Sequence, residues 1–187
     1  MVRLPTFKRG VELPEHKKAT RDLPITDLPR PARLVVPLKQ NAGAPPEPVV
    51  EKGEEIRKGR ILAEPSGAIS APLHAPLSGK IKSIAKFPHP CGPPSPAIEI
   101  ETFPEDGAPD YLKPYPDPAN LSPETIRERA GEAGIVGMGG AGFPTRVKLD
   151  PPPETRIDYA VINGAECEPF LTVDHRLMLE EPDRILL

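Results

Sequence analysis

Gly53-Glu54-Glu55-Ile56-Arg57-Lys58-Gly59-Arg60-Ile61-Leu62 is the stretch on which the reading of the fold turns. Single apolar residues stand between glycine-bearing turn signals, a pattern suited to short strands and not to a helix face. Glycines at 53 and 59 fit hairpin turns, because such turns need positive φ and a residue without a Cβ adopts it freely. Upstream, Arg33-Leu34-Val35-Val36-Pro37-Leu38 reads as a strand, and Pro48-Val49-Val50 leads into the turn at Glu51-Lys52-Gly53-Glu54. Downstream, Ile61-Leu62-Ala63 and Ile69-Ser70-Ala71 read as short strands. Lys80-Ile81-Lys82-Ser83-Ile84 and Ala97-Ile98-Glu99-Ile100-Glu101 alternate at period two, the mark of half-buried strands. Close-spaced strands with Gly and Pro turns predict a small all-β barrel or sandwich over residues 31–101.

Residues 1–30 are polar, punctuated by proline and aperiodic, and read as an extended arm. The chain holds 29 prolines, spread throughout its length. Proline fixes φ and shortens regular elements, so short strands, defined turns and few long helices are expected. Apolar runs persist between the prolines, which favours a folded chain over disorder.

The turn-rich stretch 53–62, followed by Ala71-Pro72-Leu73-His74-Ala75-Pro76-Leu77-Ser78-Gly79-Lys80-Ile81, resembles the biotinyl/lipoyl carrier fold. Carriers present a lysine for modification at a hairpin tip. The matching stretch here, Glu64-Pro65-Ser66-Gly67-Ala68, has no lysine, so a structural or docking module is expected and not a swinging arm.

Residues 102–121 carry Pro104, Pro109, Pro114, Pro116 and Pro118 among polar residues, and read as a linker. Ser122-Pro123-Glu124 then opens a helix, with Ser at the N-cap, Pro at the first position and an acid in the first turn. The helix continues from Thr125 to Glu132, and Gly134 ends it. The composition turns from β to mixed α/β here, so 122–187 is read as the start of a second, Rossmann-like domain.

Two segments of that part carry chemistry. Gly137-Met138-Gly139-Gly140-Ala141-Gly142-Phe143-Pro144-Thr145 has too many glycines to stabilise a helix or strand. Glycines of this kind let backbone N–H groups approach a phosphate or a flavin closely, although a flexible turn gives the same pattern. The spacing is not that of the Rossmann G-x-G-x-x-G fingerprint. In Ile157-Asp158-Tyr159-Ala160-Val161-Ile162-Asn163-Gly164-Ala165-Glu166-Cys167-Glu168-Pro169, an apolar strand runs into a loop bearing an amide and two carboxylates. Ligands bind at such carboxyl ends of strands in α/β domains. Acids just upstream of a helix beginning near Thr172 or Val173 also stabilise its N-terminus, and Asp174 is expected to do so.

Taken together, the glycine loop with Lys148 and the Asn163–Pro169 loop resemble the flavin- and NADH-binding subunit of respiratory complex I. The wider wording is closer to the RnfC family. It includes Phe7 to Lys17, Pro37 to Pro48, Ser70 to Gly79 and Asp174-His175-Arg176-Leu177-Met178. The resemblance implies a barrel-sandwich hybrid followed by an FMN/NADH-binding α/β domain. It implies FMN held without a covalent bond by Gly137, Gly139, Gly140 and Gly142, with Lys148 near the flavin or its phosphate. Asn163 and Glu166 would line the flavin and Glu168 would help to position NAD(H). The implied reaction is hydride transfer between nicotinamide C4 and flavin N5, with no catalytic side chain and no metal ligand in this segment. The implied partners are the other Rnf subunits at the membrane surface, NAD(H) and, indirectly, ferredoxin, on the cytoplasmic side of the inner membrane. Met138 and Ala165 depart from the Arg and Asp of the complex I pattern. Two 4Fe–4S clusters belong to a cysteine-rich segment further on in such proteins, so this chain is expected to be a fragment that stops inside the nucleotide domain. The alternative is a non-catalytic docking protein, like the flavin-free sibling found in sodium-pumping quinone reductase.

Other signals are negative. Net charge is −3 with both signs interspersed, which argues against a nucleic-acid footprint. No run approaches the ~20 apolar residues of a membrane span. His16, His74, His89 and His175 have no metal-ligand spacing. Cys91 and Cys167 form no CxxC pair, Cys91 reads as a loop thiol, and the acids beside Cys167 disfavour its thiolate.

Overall fold

A computed structural model describes residues 13–90, 92–117, 120–138 and 140–186. The chain forms two compact units, Pro29–Arg156 on the one hand and Met1–Leu28 with Ile157–Leu187 on the other.

The larger unit is built on seven strands: β1 (Arg33–Pro37), β2 (Glu47–Pro48), β3 (Glu55–Ile56), β4 (Ile61–Glu64), β5 (Leu73–His74), β6 (Gly79–His89) and β7 (Gly92–Thr102). They make a four-stranded sheet in the order β1-β7-β6-β3 and a three-stranded sheet in the order β2-β4-β5. All pairings are antiparallel. One apolar cluster draws on both sheets, with Leu62 and Ala63 from β4 meeting Ile56, Ile81, Ile98 and Ile100. Period-two alternation places these residues inward, as in β6, where Gly79 and Ile81 are buried while Lys80 and Lys82 are exposed. Gly53 and Gly59 both take positive φ, at 92° and 88°, as their turns require.

β6 and β7 run well beyond the strands read from the alternating patterns. Their outer halves contain Pro88, Pro93, Pro94 and Pro96, which disguise a strand in sequence. Geometry resolves the conflict: β1 pairs with β7 only as far as Pro37 opposite Ala97. Past a last bond from Leu38 N–H to the Pro96 carbonyl (3.0 Å), β7 pairs with β6 alone, and a proline without an N–H is tolerated on the open side. Cys91, expected as a loop thiol, lies outside the described residues.

Ile69-Ser70-Ala71 was expected as a strand and is not one; residues 65–72 form an irregular loop. Its backbone and hydroxyls bond to the neighbouring loop instead, through Ala44 N–H to the Ile69 carbonyl (3.0 Å) and Ser66 Oγ to the Pro45 carbonyl (2.5 Å). The loop at the carrier's lysine position is therefore fastened down.

After the segment 103–117, α1 (Pro123–Glu132) begins as the sequence predicts. Ser122 Oγ accepts from Thr125 N–H at 3.1 Å and Pro123 occupies the first turn. It ends with Gly134 N–H bonded to Gly131 carbonyl and Ile135 N–H to Ala130 carbonyl, the paired bonds of a Schellman motif. A single turn, α2 (Thr145–Lys148), follows the glycine loop.

The smaller unit contains a 3-10 turn at Lys17–Ala19, then α3 (Val173–Glu180) and α4 (Pro182–Leu186). α3 starts where expected, with Asp174 in its first turn. The strand expected at Tyr159-Ala160-Val161-Ile162 is not formed. A strand needs a neighbour to bond its backbone, and no strand of the described residues lies in this unit. Tyr159, Val161 and Ile162 are 89%, 87% and 80% exposed.

Candidate functional site

The glycine loop is closed at its base by an isolated antiparallel bridge between Val136 and Pro144. Gly137 N–H donates to the Phe143 carbonyl (2.9 Å) and Thr145 N–H to the Ile135 carbonyl (2.9 Å). The loop rests on the β unit through Gly142, whose carbonyl accepts from Ala42 N–H at 3.2 Å. Gly142 has φ +64, and a Cβ there would lie 2.7 Å from the Gln40 carbonyl oxygen, so conformation and space both demand glycine.

Lys148 reaches back from α2 over this loop. A Cβ on Gly137 would lie 2.6 Å from Lys148 Nζ, so the ammonium occupies the space that the glycine leaves. Among the described residues no carboxylate pairs with it. Gly140 faces open space, and Met138 stands 91% exposed where the complex I pattern has Arg. Gly139 lies outside the described residues. Three of the four expected glycines thus share one loop, with the Lys148 cation beside Gly137.

The three glycines border a hollow of about 290 Å³. That is at the lower end of the ~300–1,000 Å³ typical of ligand pockets. Its other wall comes from the β unit, in Gln40, Asn41, Ala71, Pro72 and Leu73. Asn41 is 5% exposed; its Nδ2 donates to the Ala42 carbonyl at 2.7 Å, and its Oδ1 is buried without a partner. A buried acceptor without a donor is uncommon in folded proteins and invites a ligand. Sequence reasoning missed this wall. Its signal was present in the wording of Pro37–Pro48 and Ser70–Gly79, but nothing in that wording assigned a role.

A larger cleft, about 970 Å³, lies between residues 61–72 and the helices α1 and α2. Its arginines are already engaged: Arg127 with Glu124 and Asp150, Arg129 with Glu132, and Arg146 with the Ala68 carbonyl. The glycine-loop hollow is the better candidate, because it is bordered by the loop whose glycines and neighbouring lysine match a flavin-binding pattern.

The second motif lies in the smaller unit. Asn163 Oδ1 accepts from Ala165 N–H at 3.0 Å, a local turn contact. Glu166 Oε1 accepts from His175 N–H at 3.1 Å in the first turn of α3, while its Oε2 is buried and unpartnered. The carboxylate therefore serves the helix end with one oxygen, while the other has no protein partner. Glu168 is exposed, as is Cys167. His74, half-buried in β5, has its pKa lowered by burial, consistent with a packing role. No helix of the described residues is long and apolar enough to cross a membrane.

An antiparallel two-sheet barrel followed by a lysine-guarded glycine loop defines a class: a barrel-sandwich hybrid joined to an FMN-binding region. Comparison with known proteins agrees, since the model of the RnfC barrel sandwich hybrid domain matches residues 5–105 and that of the Nuo51 FMN-binding domain matches residues 130–187. The chain belongs to the RnfC family. Over 186 residues it is 42% identical to its counterpart in the proton-translocating ferredoxin:NAD(+) oxidoreductase complex of Clostridium ljungdahlii, covering 98% of this chain and 40% of that protein. It is 38% identical to the counterpart in the Na(+)-translocating complex of Acetobacterium woodii (97% and 41% covered). It is 44% identical to the counterpart in the ion-translocating oxidoreductase complex of Pseudomonas aeruginosa (100% and 24% covered). The chain thus spans about two fifths of the first two relatives and about a quarter of the third.

Proposed function

We propose that this chain is the FMN-binding part of an Rnf-type electron-transport protein that exchanges hydride with NAD(H). The observation that carries the reading is Lys148 Nζ seated over Gly137 in a loop that fronts a hollow. A cation beside a glycine-rich loop whose Gly140 faces open space is an arrangement suited to a phosphate. The unpartnered buried oxygens of Asn41 and Glu166 are further groups suited to ligand donors. FMN, when bound, supplies the hydride and single-electron chemistry. The protein's share is binding and orientation: Gly137, Gly139, Gly140 and Gly142 admit the nucleotide, and Lys148 neutralises its phosphate. Asn163 and Glu166 line the ring, while Glu168 orients NAD(H).

The division into an arm (1–30), a β domain (31–101), a linker (102–121) and the flavin domain (122–187) belongs to the same reading. So do delivery of electrons through 4Fe–4S clusters to ferredoxin, and a peripheral position on the cytoplasmic face of the membrane beside the other members of the complex. The names of the relatives, as parts of ferredoxin:NAD(+) oxidoreductase complexes, support it.

The test is fluorescence titration of FMN into the purified protein. Quenching should saturate at micromolar FMN and vanish in Gly140→Glu, a substitution that has open space to occupy and puts a carboxylate at the phosphate. Lys148→Ala should weaken binding about tenfold, the effect of one lost charge-assisted contact. Equal binding by all three proteins would remove the glycine loop from the site. Absence of binding would favour the non-catalytic docking reading.

A further inference from the structure

The motif Phe7–Lys17 shares in the family wording but has no part in the chemistry proposed above. Where the segment is described, it is bonded to the loop that follows the acidic motif. Phe170 N–H donates to the Glu15 carbonyl at 2.8 Å. Lys17 Nζ donates to the carbonyls of Leu171 (2.6 Å) and Glu168 (3.4 Å). Thr20 Oγ1 donates to the Phe170 carbonyl at 3.4 Å, and the Thr172 hydroxyl donates to Thr20 Oγ1 at 3.0 Å. The His16 and Phe170 rings stack, with centroids 4.8 Å apart and planes within 10°. Further along, Ile25 N–H donates to both carboxylate oxygens of Glu180 (3.1 Å each), and Arg176 Nη1 donates to the Arg21 carbonyl (3.2 Å).

Two of these residues share an uncommon backbone. Among the described residues, His16 (φ 53) and Phe170 (φ 71) are the only non-glycine residues at positive φ. Left-handed backbone is unfavourable for a residue with a Cβ. It persists where surroundings over-determine it, and it collects at ligand clamps and active sites. Here the two strained residues lie against each other. Phe170 is held by the arm at its N–H, its carbonyl and its ring.

We propose that Glu15–Thr20 is a positioning clamp that fixes the loop Glu166–Leu171, with Lys17 as its principal residue. Lys17 is half-buried and spans the loop from Glu168 to Leu171. Its ammonium offers three donors to backbone acceptors that would otherwise be left to water. The clamp holds the backbone that carries the Glu166 and Glu168 carboxylates, so its functional role rests on the assignment of Glu168 to NAD(H).

The experiment compares the unaltered protein with Lys17→Met and Lys17→Arg, reading hydrogen exchange over residues 166–172 without ligand and, with FMN bound, NADH oxidation by an added one-electron acceptor such as ferricyanide. Loss of one charged hydrogen bond should speed loop exchange about tenfold in Lys17→Met. The KM for NADH should rise about tenfold while kcat stays within about twofold, the pattern of lost uniform binding. Lys17→Arg should restore most of both. Unchanged loop exchange in Lys17→Met overturns the clamp, and so does faster exchange with an unaltered KM. If the unaltered protein has no affinity for NADH, the Glu168 assignment fails. The exchange result, which needs no ligand, then still decides for or against the clamp.

Discussion

Asp106 shows how one side chain fastens the β unit. It forms a two-pronged ion pair with Arg30 and accepts from Ser78 N–H at 2.7 Å, while Lys58 Nζ stands 3.9 Å away. Arg30 first, then the Ser78 amide, hold its carboxyl well below the ordinary 3.8. A depressed carboxylate contributes stability above the unfolded-state value and loses it as pH falls through the folded one. The unaltered protein should therefore lose stability progressively below about pH 4. Asp106→Asn should flatten that acid limb in urea titrations run from pH 6 to pH 2, and an unchanged limb would remove Asp106 from the account. At Gly142 the constraint is steric. With φ +64 and the Gln40 carbonyl 2.7 Å from any Cβ, Gly142→Ala should cost about 2 kcal/mol or more, since left-handed strain alone is ~1–2 kcal/mol. Denaturation midpoints at constant m would show it.

At the scale of elements, α1 was the most legible, because capping chemistry is local: Ser122, Pro123 and Gly134 announce both ends within a few residues. Ser122→Ala removes the acceptor of Thr125 N–H and should cost about 1 kcal/mol, measurable by thermal unfolding. The core of the β unit was equally readable, since period two at 80–84 and 97–101 depends only on which side chains face inward. The outer halves of β6 and β7 were not readable. Whether Pro93 or Pro96 breaks a strand depends on which side of β7 is open, a fact of sheet order that no local pattern carries. The stretch 159–162 failed in the opposite way. Its β-branched and aromatic residues have strand propensity, but propensity without a neighbouring strand forms no ladder.

Across the whole molecule the candidate site was legible by motif and illegible by surroundings. The glycine loop, Lys148 and the acidic loop could be named from the sequence. The wall of Gln40, Asn41 and Pro72 and the grip of Lys17 on Leu171 join residues far apart in sequence, 154 positions in the case of Lys17 and Leu171, and only the fold reveals them. The two units also differ in what holds them. The apolar core lies wholly within Pro29–Arg156, whereas no described residue of the smaller unit is buried. Hydrogen bonds and ion pairs at exposed positions are worth little individually, and regions with few buried apolar contacts open at low free energy. Native-state hydrogen exchange should accordingly find the amides of β1, β6 and β7 protected to the global unfolding free energy. Those of 157–180 should exchange far faster, through sub-global opening. A ligand that binds only the closed form at 100 times its dissociation constant adds about 2.7 kcal/mol. Saturating NADH with FMN should therefore slow exchange at 163–172 by about 100-fold, and slow the β6 and β7 amides, which exchange only by global unfolding, by a similar factor. Uniform protection across both units before ligand is added would mean that the smaller unit is held by more than its exposed polar contacts.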